Sequence, residues 1–206
     1  EENTLGNKMF NETLLRNVLK VIKDRPEQTK EIIDSFSDNQ YKTKNKLIRC
    51  VNEFIDESFN VAILGCWYGS ILVPALAPRV NKVIAIDLDD NVIRVGKNRF
   101  FNDYNNVSWA TGDVFTYDPG FSNIHLVINT SCEHMLPMKE WPYWNNGSYF
   151  AVTSNNMYDI KGHVNCVSSI EEFKEQLPSN ATILVEDEIK DTRGTRYMLV
   201  GKLTAI

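Results

Sequence analysis

Residues 61–70 read VAILGCWYGS, and this stretch decides the fold. Its first four residues are apolar without interruption, a pattern typical of a strand that helices cover on both faces of a parallel sheet. The strand leads directly into a turn that contains Gly65 and Gly69, and a short helix is predicted for 71–77. Glycine lets the backbone approach a ligand closely, and the first turn of a helix offers unpaired N–H groups. The stretch therefore predicts a strand, a ligand-binding turn and a helix in succession.

Similar strand-sized segments recur along the rest of the chain. They lie at 83–86, 107–111, 126–128, 149–152, 183–185 and 197–200. Helix-like patterns separate most of them, and this alternation predicts a doubly wound, mostly parallel, seven-stranded α/β sheet with helices on both faces. No helical pattern separates the last two segments, so we predict a hairpin and an antiparallel last strand.

The part of the chain before residue 59 has a helical pattern. Apolar residues share one helical face in three stretches, namely Phe10, Leu14, Leu15, Val18, Leu19 and Ile22, then Ile32, Ile33 and Phe36, then Leu47, Ile48, Val51, Phe54 and Ile55. Such spacing predicts amphipathic helices. We therefore predict an N-terminal helical cap over 1–58 and a sheet domain over 59–206, packed as one compact unit.

The charge composition of the chain indicates which class of molecule it binds. The chain has 206 residues and a formal net charge of −5, and it contains no dense run of Lys and Arg. Nucleic-acid-binding proteins usually present a concentrated basic surface. We therefore expect a small-molecule substrate and no nucleic-acid partner. The most basic stretch, 42–49, is predicted to be the polar face of a helix.

The cysteines and the first residues of the sequence give an expectation for the cellular compartment of the protein. The four cysteines, Cys50, Cys66, Cys132 and Cys166, are widely spaced and form no CxxC pair. This spacing favours reduced thiols over a zinc site or a disulfide framework, and we predict no metal site. The first residues do not resemble a secretory signal, and no apolar run reaches the length of a membrane helix. We expect a cytoplasmic protein without a membrane partner, and the sequence does not indicate its oligomeric state.

Polar side chains follow the predicted strands at the edge where such sheets bind cofactors. Asp87 ends the second strand about 20 residues after the glycine turn, a position suited to accepting hydrogen bonds from a ribose. Asp89 is better placed to cap the following helix, which leaves Asp87 free. Asp113 follows the third strand and Asn129 ends the fourth.

In these segments and their order, the sequence resembles the class I S-adenosylmethionine (SAM)-dependent methyltransferases. The matching segments are 61–69 for the glycine loop, 84–88 for the ribose-binding acid, 112–114 for the adenine-binding turn, 124–135 for the strand and turn over the methyl group, 147–150 for the turn into the fifth strand and 196–202 for the last strand. The resemblance covers roughly residues 58–203. It implies a Rossmann-like fold with a SAM-binding domain over 59–206.

The resemblance also implies which residues hold SAM. They are Gly65, Cys66, Trp67, Gly69, Asp87, Leu88, Asp113, Val114 and Asn129. The glycine loop would close on the methionine part, and Asn129 would lie beneath it. Asp87 would hold the ribose hydroxyls, and Leu88 would pack on the adenine. Asp113 would accept a hydrogen bond from the adenine amino group, and the Val114 N–H would face the adenine ring.

Three positions depart from the family pattern. Ile63 stands where the first strand usually carries an acid, Trp67 replaces the middle glycine of the loop, and His125 replaces the usual Asp of the fourth strand. Trp67 is predicted either to lie against the sulfonium as a cation–π partner or to pack under the N-terminal helices. His125 is predicted to be structural.

Two groups of residues are candidates for chemistry on the substrate. Glu133 and His134 follow the fourth strand. They either act directly in catalysis, histidine being a residue type suited to serve as a general base, or simply orient the loop at a helix start. Asn155, His163 and Asn165 follow the fifth strand and are predicted to contact the substrate, the alternative being a loop stabilised by its own Asn turns.

The sequence therefore predicts a SAM-dependent methyltransferase with a small-molecule acceptor. Two alternatives keep the same fold: transfer of another group of SAM, such as the aminocarboxypropyl arm, and a non-catalytic SAM-binding partner protein. A nicotinamide-dependent oxidoreductase is disfavoured because the loop lacks the G-x-G-x-x-G pattern. Asn129 is followed by Thr130 and Ser131 without proline, which argues against a nucleic-acid amino-methyltransferase.

Overall fold

The structure is a computed structural model that describes residues 12–204. Phe10, which belongs to the first predicted helical face, lies outside the described residues. The helices are α1 (Glu12–Asp24), α2 (Thr29–Ser35), α3 (Asp38–Val51), α4 (Leu72–Leu76), α5 (Asp90–Val95) and α6 (Ile170–Glu175). The strands are β1 (Asn60–Leu64), β2 (Lys82–Asp87), β3 (Val107–Thr111), β4 (Leu126–Asn129), β5 (Tyr149–Asn155), β6 (Ala181–Asp191) and β7 (Gly194–Leu203).

All seven strands form one sheet in the order β3-β2-β1-β4-β5-β7-β6. Strands β1 to β5 pair in parallel, whereas β7 is antiparallel to both β5 and β6. The predicted doubly wound sheet with an antiparallel last strand is therefore confirmed. The strand order reverses between β1 and β4, so their carboxyl ends form the switch point at which such sheets bind ligands.

Two apolar layers cover the sheet. Successive strand residues point to opposite faces, so Val61 and Ile63 lie in one layer while Ala62 and Leu64 lie in the other. The first layer also contains Leu14 of α1, Ile32 of α2 and Leu47 of α3, each at most 3% exposed. Because both faces are covered, the central strands contain few polar residues, and Ile63 is part of this core.

Local capping contacts fix two of the helices. The Asp89 carboxylate accepts a hydrogen bond from the Asn91 N–H at 2.8 Å and thereby starts α5. This helix continues as a single π-type turn from Gly96 to Phe100. At α6, Ser169 Oγ accepts from the Glu172 N–H at 3.1 Å, but the Glu172 carboxylate bonds to Ser168 instead of returning to Ser169. Only one of the two hydrogen bonds of a capping box is therefore formed at this helix start.

Strand β5 is longer than its apolar run predicts. It continues through Thr153 and Ser154 to Asn155, and all three side chains are buried despite being polar. At the opposite end of the sheet, His125 Nδ1 accepts the Asn60 N–H at 2.9 Å and so fixes the start of β1.

The four cysteines are free thiols. No helix within residues 12–204 is long and apolar enough to cross a membrane.

Candidate functional site

The turn after β1 has an alternating left-handed backbone. The φ angles of Gly65, Trp67 and Gly69 are +62°, +52° and +69°. Trp67 is the one non-glycine residue with positive φ among residues 12–204, a conformation that costs a side-chain-bearing residue about 1–2 kcal/mol. Asp87 Oδ2 accepts the Trp67 N–H at 2.7 Å, and Glu31 of α2 accepts the indole N–H at 3.0 Å. These bonds tie the turn to β2 and to the N-terminal helices.

A cavity of about 470 Å³ opens at the carboxyl ends of the strands. It is lined by the turns after β1, β2, β3 and β4, by α3, by the segment after β5 and by the start of β7. The lining residues are Gln40, Lys44, Gly65, Trp67, Asp87, Leu88, Gly112, Asp113, Val114, Thr130, Ser131, Glu133, His134, Met135, Ile160, His163, Arg193 and Arg196. This size is typical of a small-molecule site.

One end of the cavity combines two carboxylates with an exposed leucine. Asp87 Oδ2 accepts from Trp67, and Oδ1 accepts from the Asp89 N–H at 3.1 Å. Burial raises the pKa of Asp87, and the backbone hydrogen bonds oppose this rise. Leu88 is 72% exposed beside it, and Asp113 bonds the Phe115 N–H at 2.9 Å. Each carboxylate oxygen of Asp87 can accept a second hydrogen bond, so this end offers both polar and apolar contacts to a ligand.

Three predicted cofactor residues do not line the cavity. Cys66 is buried, and its thiol donates to the Trp67 carbonyl at 3.3 Å. A Cβ at Gly69 would meet Val73 at 2.7 Å and Trp109 at 2.9 Å, so this glycine serves packing. Asn129 is fully buried; its amide donates to the sulfurs of Met135 and Met138, and its carbonyl oxygen accepts the Ser131 N–H. The other six predicted residues, Gly65, Trp67, Asp87, Leu88, Asp113 and Val114, do line it.

The other end of the cavity contains Glu133, His134 and His163. Glu133 is 4% exposed, and its Oε1 accepts the Asn155 amide at 2.7 Å and lies 3.9 Å from Arg196 Nη1. Burial raises the pKa of Glu133, while the nearby positive charges act against this rise. The two imidazole rings meet edge to face, with their centroids 4.6 Å apart.

Of the three predicted substrate residues, only His163 lines the cavity. Asn155 is buried and donates its side-chain amide N–H to the Glu133 carboxylate. Asn165 forms two amide hydrogen bonds with Gln176, at 2.9 and 2.8 Å. The Glu133 carbonyl accepts the N–H groups of both Val164 and Asn165, at 2.9 and 3.0 Å. The two asparagines therefore hold the segment after β5 against the turn after β4.

The sequence did not indicate a site role for nine residues of the cavity wall, namely Gln40, Lys44, Gly112, Thr130, Ser131, Met135, Ile160, Arg193 and Arg196. Burial, assisted by Arg196, lowers the pKa of Lys44 to about 8. Lys44 belongs to the stretch 42–49 that was predicted to be the polar face of a helix, and Lys42, Lys46 and Arg49 of that stretch are exposed. The i, i+4 spacing of Gln40 and Lys44 places them on one side of α3. This spacing is the one feature of the sequence that could have drawn attention to the two residues. It does not indicate that this side of α3 faces the cavity.

No family model matches the sequence, and no curated protein matches it. Among solved structures, the N-methyltransferase NodS from Bradyrhizobium japonicum WM9 in complex with S-adenosyl-L-homocysteine is similar, with a TM-score of 0.66 and 13% identity over 98% of this chain and 97% of that chain. A geranyl diphosphate methyltransferase in complex with GPP and sinefungin has a TM-score of 0.64 and 10% identity, covering 80% and 79%. A SAM-dependent methyltransferase from Aquifex aeolicus has a TM-score of 0.55 and 13% identity, covering 77% and 89%. The chain therefore has the fold of class I SAM-dependent methyltransferases.

Proposed function

We propose that the chain binds SAM and transfers its methyl group to a small-molecule acceptor. The observation that carries this proposal is the convergence of Asp87, Leu88 and Asp113 on one cavity at the switch point of this fold. A carboxylate with accepting capacity on both oxygens suits the two hydroxyls of a ribose. The exposed Leu88 gains from covering an adenine ring, since burial of apolar surface is favourable.

The methionine end of SAM would lie along the glycine turn. Positive φ at Gly65 brings its backbone to the cavity wall, where Thr130 and Ser131 add hydroxyl groups. Ile63 is buried in the core, so it offers no acid to the methionine amino group. Trp67 lines the cavity while its indole N–H bonds to Glu31. Its ring is thus fixed beside the position proposed for the sulfonium, where a cation–π contact is worth roughly 0.5–2 kcal/mol.

Bound SAM supplies an electrophilic methyl group, and the chain supplies alignment. Methyl transfer is an in-line displacement, so holding the acceptor at the right distance and angle is the main contribution to the rate. Glu133, His134 and His163 line the cavity beyond the glycine turn and are proposed to face the acceptor. His134 Nδ1 bonds to the Gly162 carbonyl at 3.0 Å. A carbonyl only accepts, so this nitrogen carries the proton and Nε2 keeps a lone pair.

The proposal is tested by calorimetric binding of S-adenosylhomocysteine to the wild type and to Asp87→Asn. We expect the variant to bind about 10–100-fold more weakly, because hydrogen bonds to a charged group contribute about 1.5–3 kcal/mol. The matched control is Asp103→Asn, an exposed aspartate before β3, at the other end of the sheet; it should bind like the wild type. Equal affinities of all three proteins would contradict the proposal.

The pH dependence of binding gives a second readout. Burial raises the pKa of Asp87 above 3.8, so the accepting carboxylate is present above that raised pKa and is lost as the pH falls through it. The wild-type affinity should therefore decline as the pH falls through this raised pKa, whereas the affinity of Asp87→Asn should stay flat over the same range. Mass analysis of products formed from methyl-labelled SAM with a panel of acceptors then separates methyl transfer from transfer of the aminocarboxypropyl arm.

A further inference from the structure

We propose that Glu133, His134 and His163 form a binding site for a divalent transition-metal ion at the acceptor end of the cavity. One potential ligand atom from each of these side chains lies within 4.8 Å of the other two. Zinc binds nitrogen and carboxylate ligands at about 2.0–2.2 Å, which places two tetrahedral ligand atoms roughly 3.3–3.6 Å apart. The separations between the three atoms therefore need to shorten by at most about 1.5 Å. Binding of the ion itself does not depend on the proposed function.

In both imidazoles, a hydrogen bond from Nδ1 leaves the lone pair of Nε2 available for a metal ion. His134 Nδ1 bonds to the Gly162 carbonyl at 3.0 Å, and His163 Nδ1 bonds to the Met157 carbonyl at 2.9 Å. Both Nδ1 atoms therefore carry a proton, and both Nε2 atoms keep a lone pair. Histidine ligands of metals typically donate their other ring N–H to a backbone carbonyl or carboxylate, which fixes the tautomer and the ring orientation.

Glu133 supplies an independent indication. Its side chain is 5% exposed, and within residues 12–204 no hydrogen-bond donor reaches its Oε2 atom. The other oxygen, Oε1, accepts from Asn155 and faces Arg196. A buried acceptor without a partner costs about 1–3 kcal/mol, more when charged, and coordination of a cation would remove this cost. Oε2 is thus the oxygen that the site leaves for an ion.

The backbone holds the three side chains together. His134 is adjacent to Glu133 in the short turn Cys132–His134, and the Glu133 carbonyl accepts N–H groups from the segment that contains His163. This proposal departs from the sequence-based prediction of no metal site. That prediction rested on the cysteine spacing, and His134 and His163, with 28 residues between them along the chain, form no recognisable ligand motif.

Two nitrogens and one carboxylate oxygen favour zinc or ferrous iron and leave coordination positions open. Lys44, Arg193 and Arg196 line the same cavity and would suit an acceptor that carries an anionic group beside its ligating oxygen. On the proposed function, a coordinated acceptor hydroxyl would lose its proton to solvent more readily. Its oxygen would then bond to the methyl carbon as the sulfur–methyl bond breaks, releasing S-adenosylhomocysteine.

The chain has three histidines, so imidazole NMR signals resolve the site directly. Chelator-treated, ¹⁵N-labelled protein is titrated with Zn²⁺ alone, and long-range ¹H–¹⁵N spectra are recorded. We expect the Nε2 signals of His134 and His163 to shift together while those of His125 stay in place. Unshifted signals of His134 and His163 would overturn the proposal.

Calorimetry with Zn²⁺ compares Glu133→Gln and His163→Asn with His125→Gln, a matched loss of a histidine outside the cavity. The first two should bind at least 10-fold more weakly, and the third should bind like the wild type. Cys166 Sγ lies 3.6 Å from His163 Nδ1. Weaker binding in Cys166→Ser with unchanged binding in Glu133→Gln would therefore assign the ion to another set of ligands and refute the site.

Binding of S-adenosylhomocysteine to the same proteins separates the two proposals and verifies that each variant is folded. If S-adenosylhomocysteine binds and Zn²⁺ does not, the metal site is wrong and the proposed function stands. If Zn²⁺ binds as expected and S-adenosylhomocysteine does not, the proposed function is wrong and the metal site stands.

Discussion

Trp67 is the residue at which this chain departs furthest from the backbone preferences of its turn. Its φ of +52° is a conformation that glycine adopts freely and that other residues rarely adopt. The Asp87 carboxylate on its N–H and Glu31 on its indole hold it there. The side chain therefore gives the turn a contact with α2 that a glycine at this position would lack.

We predict that Trp67→Gly is more stable than Trp67→Ala by about 0.5–1 kcal/mol, although both lose the indole. In most loops the order is reversed, because glycine gains more entropy in the unfolded chain. The measurement is urea unfolding of the two variants, compared at equal m-values. Equal stability, or a more stable alanine variant, would mean that the positive φ is not maintained in solution.

At this scale the sequence indicates the turn, the acids and the two histidines of the site, because each follows a recognisable strand. It does not indicate which side chains reach the cavity. Cys66 and Asn129 stand at the expected positions, but their side chains point into packed surroundings and bond to the backbone or to methionine sulfurs. Orientation of this kind depends on neighbours that are distant in sequence.

Among the elements, α5 shows how a single cap supports the site. Asp89 accepts the Asn91 N–H, and its own N–H donates to Asp87. The helix is only six residues long before its π-type turn. Because it has so few internal hydrogen bonds, loss of the partner for an N–H group in its first turn would weaken it considerably. The cap is predictable from sequence, because an Asp directly precedes an apolar helical pattern.

We predict that Asp89→Ala lowers the free energy of unfolding by about 1 kcal/mol, the usual cost of losing an N-cap. Asp89→Asn, which retains the capping oxygen, should stay within a few tenths of a kcal/mol of the wild type. Both variants keep the backbone N–H that donates to Asp87, so the affinity for S-adenosylhomocysteine should change less than twofold. Chemical unfolding and calorimetry provide the two measurements. A similar loss of stability in both variants would show that the capping oxygen does not stabilise α5.

Strand β5 and helix α3 contain polar residues whose surroundings the sequence pattern does not reveal. The buried Asn155 at the end of β5 bonds to Glu133, a partner that lies in a different turn. In α3 the polar Gln40 and Lys44 line the cavity, whereas the flanking Lys42 and Lys46 are exposed. Polarity alone does not distinguish a side chain that faces solvent from one that faces a ligand cavity.

At the scale of the whole molecule, the N-terminal helices and the sheet share one apolar layer. Leu14, Ile32 and Leu47 lie in the same cluster as Val61 and Ile63 of β1. The sequence predicted the helices from their periodicity, and it predicted the sheet from its apolar runs. Which sheet face the helices cover follows only from the three-dimensional packing, and this placement brings Lys44 to the cavity. Folding experiments can therefore test whether the parts of the chain on either side of the predicted boundary at residue 58 unfold together.

We predict that Leu47→Ala destabilises the sheet as well as the helices. Leu47 is fully buried, and truncation of such a leucine costs about 2–5 kcal/mol. All four tryptophans lie at position 67 or later, so their fluorescence reports on the part of the chain that follows the helices, while far-UV circular dichroism also reports on α1 to α3. Because the two parts share a core, both signals should move to lower urea concentration by the same amount and stay coincident. A fluorescence midpoint that remained at its wild-type value while the helical signal was lost earlier would instead make 1–58 an independently unfolding cap.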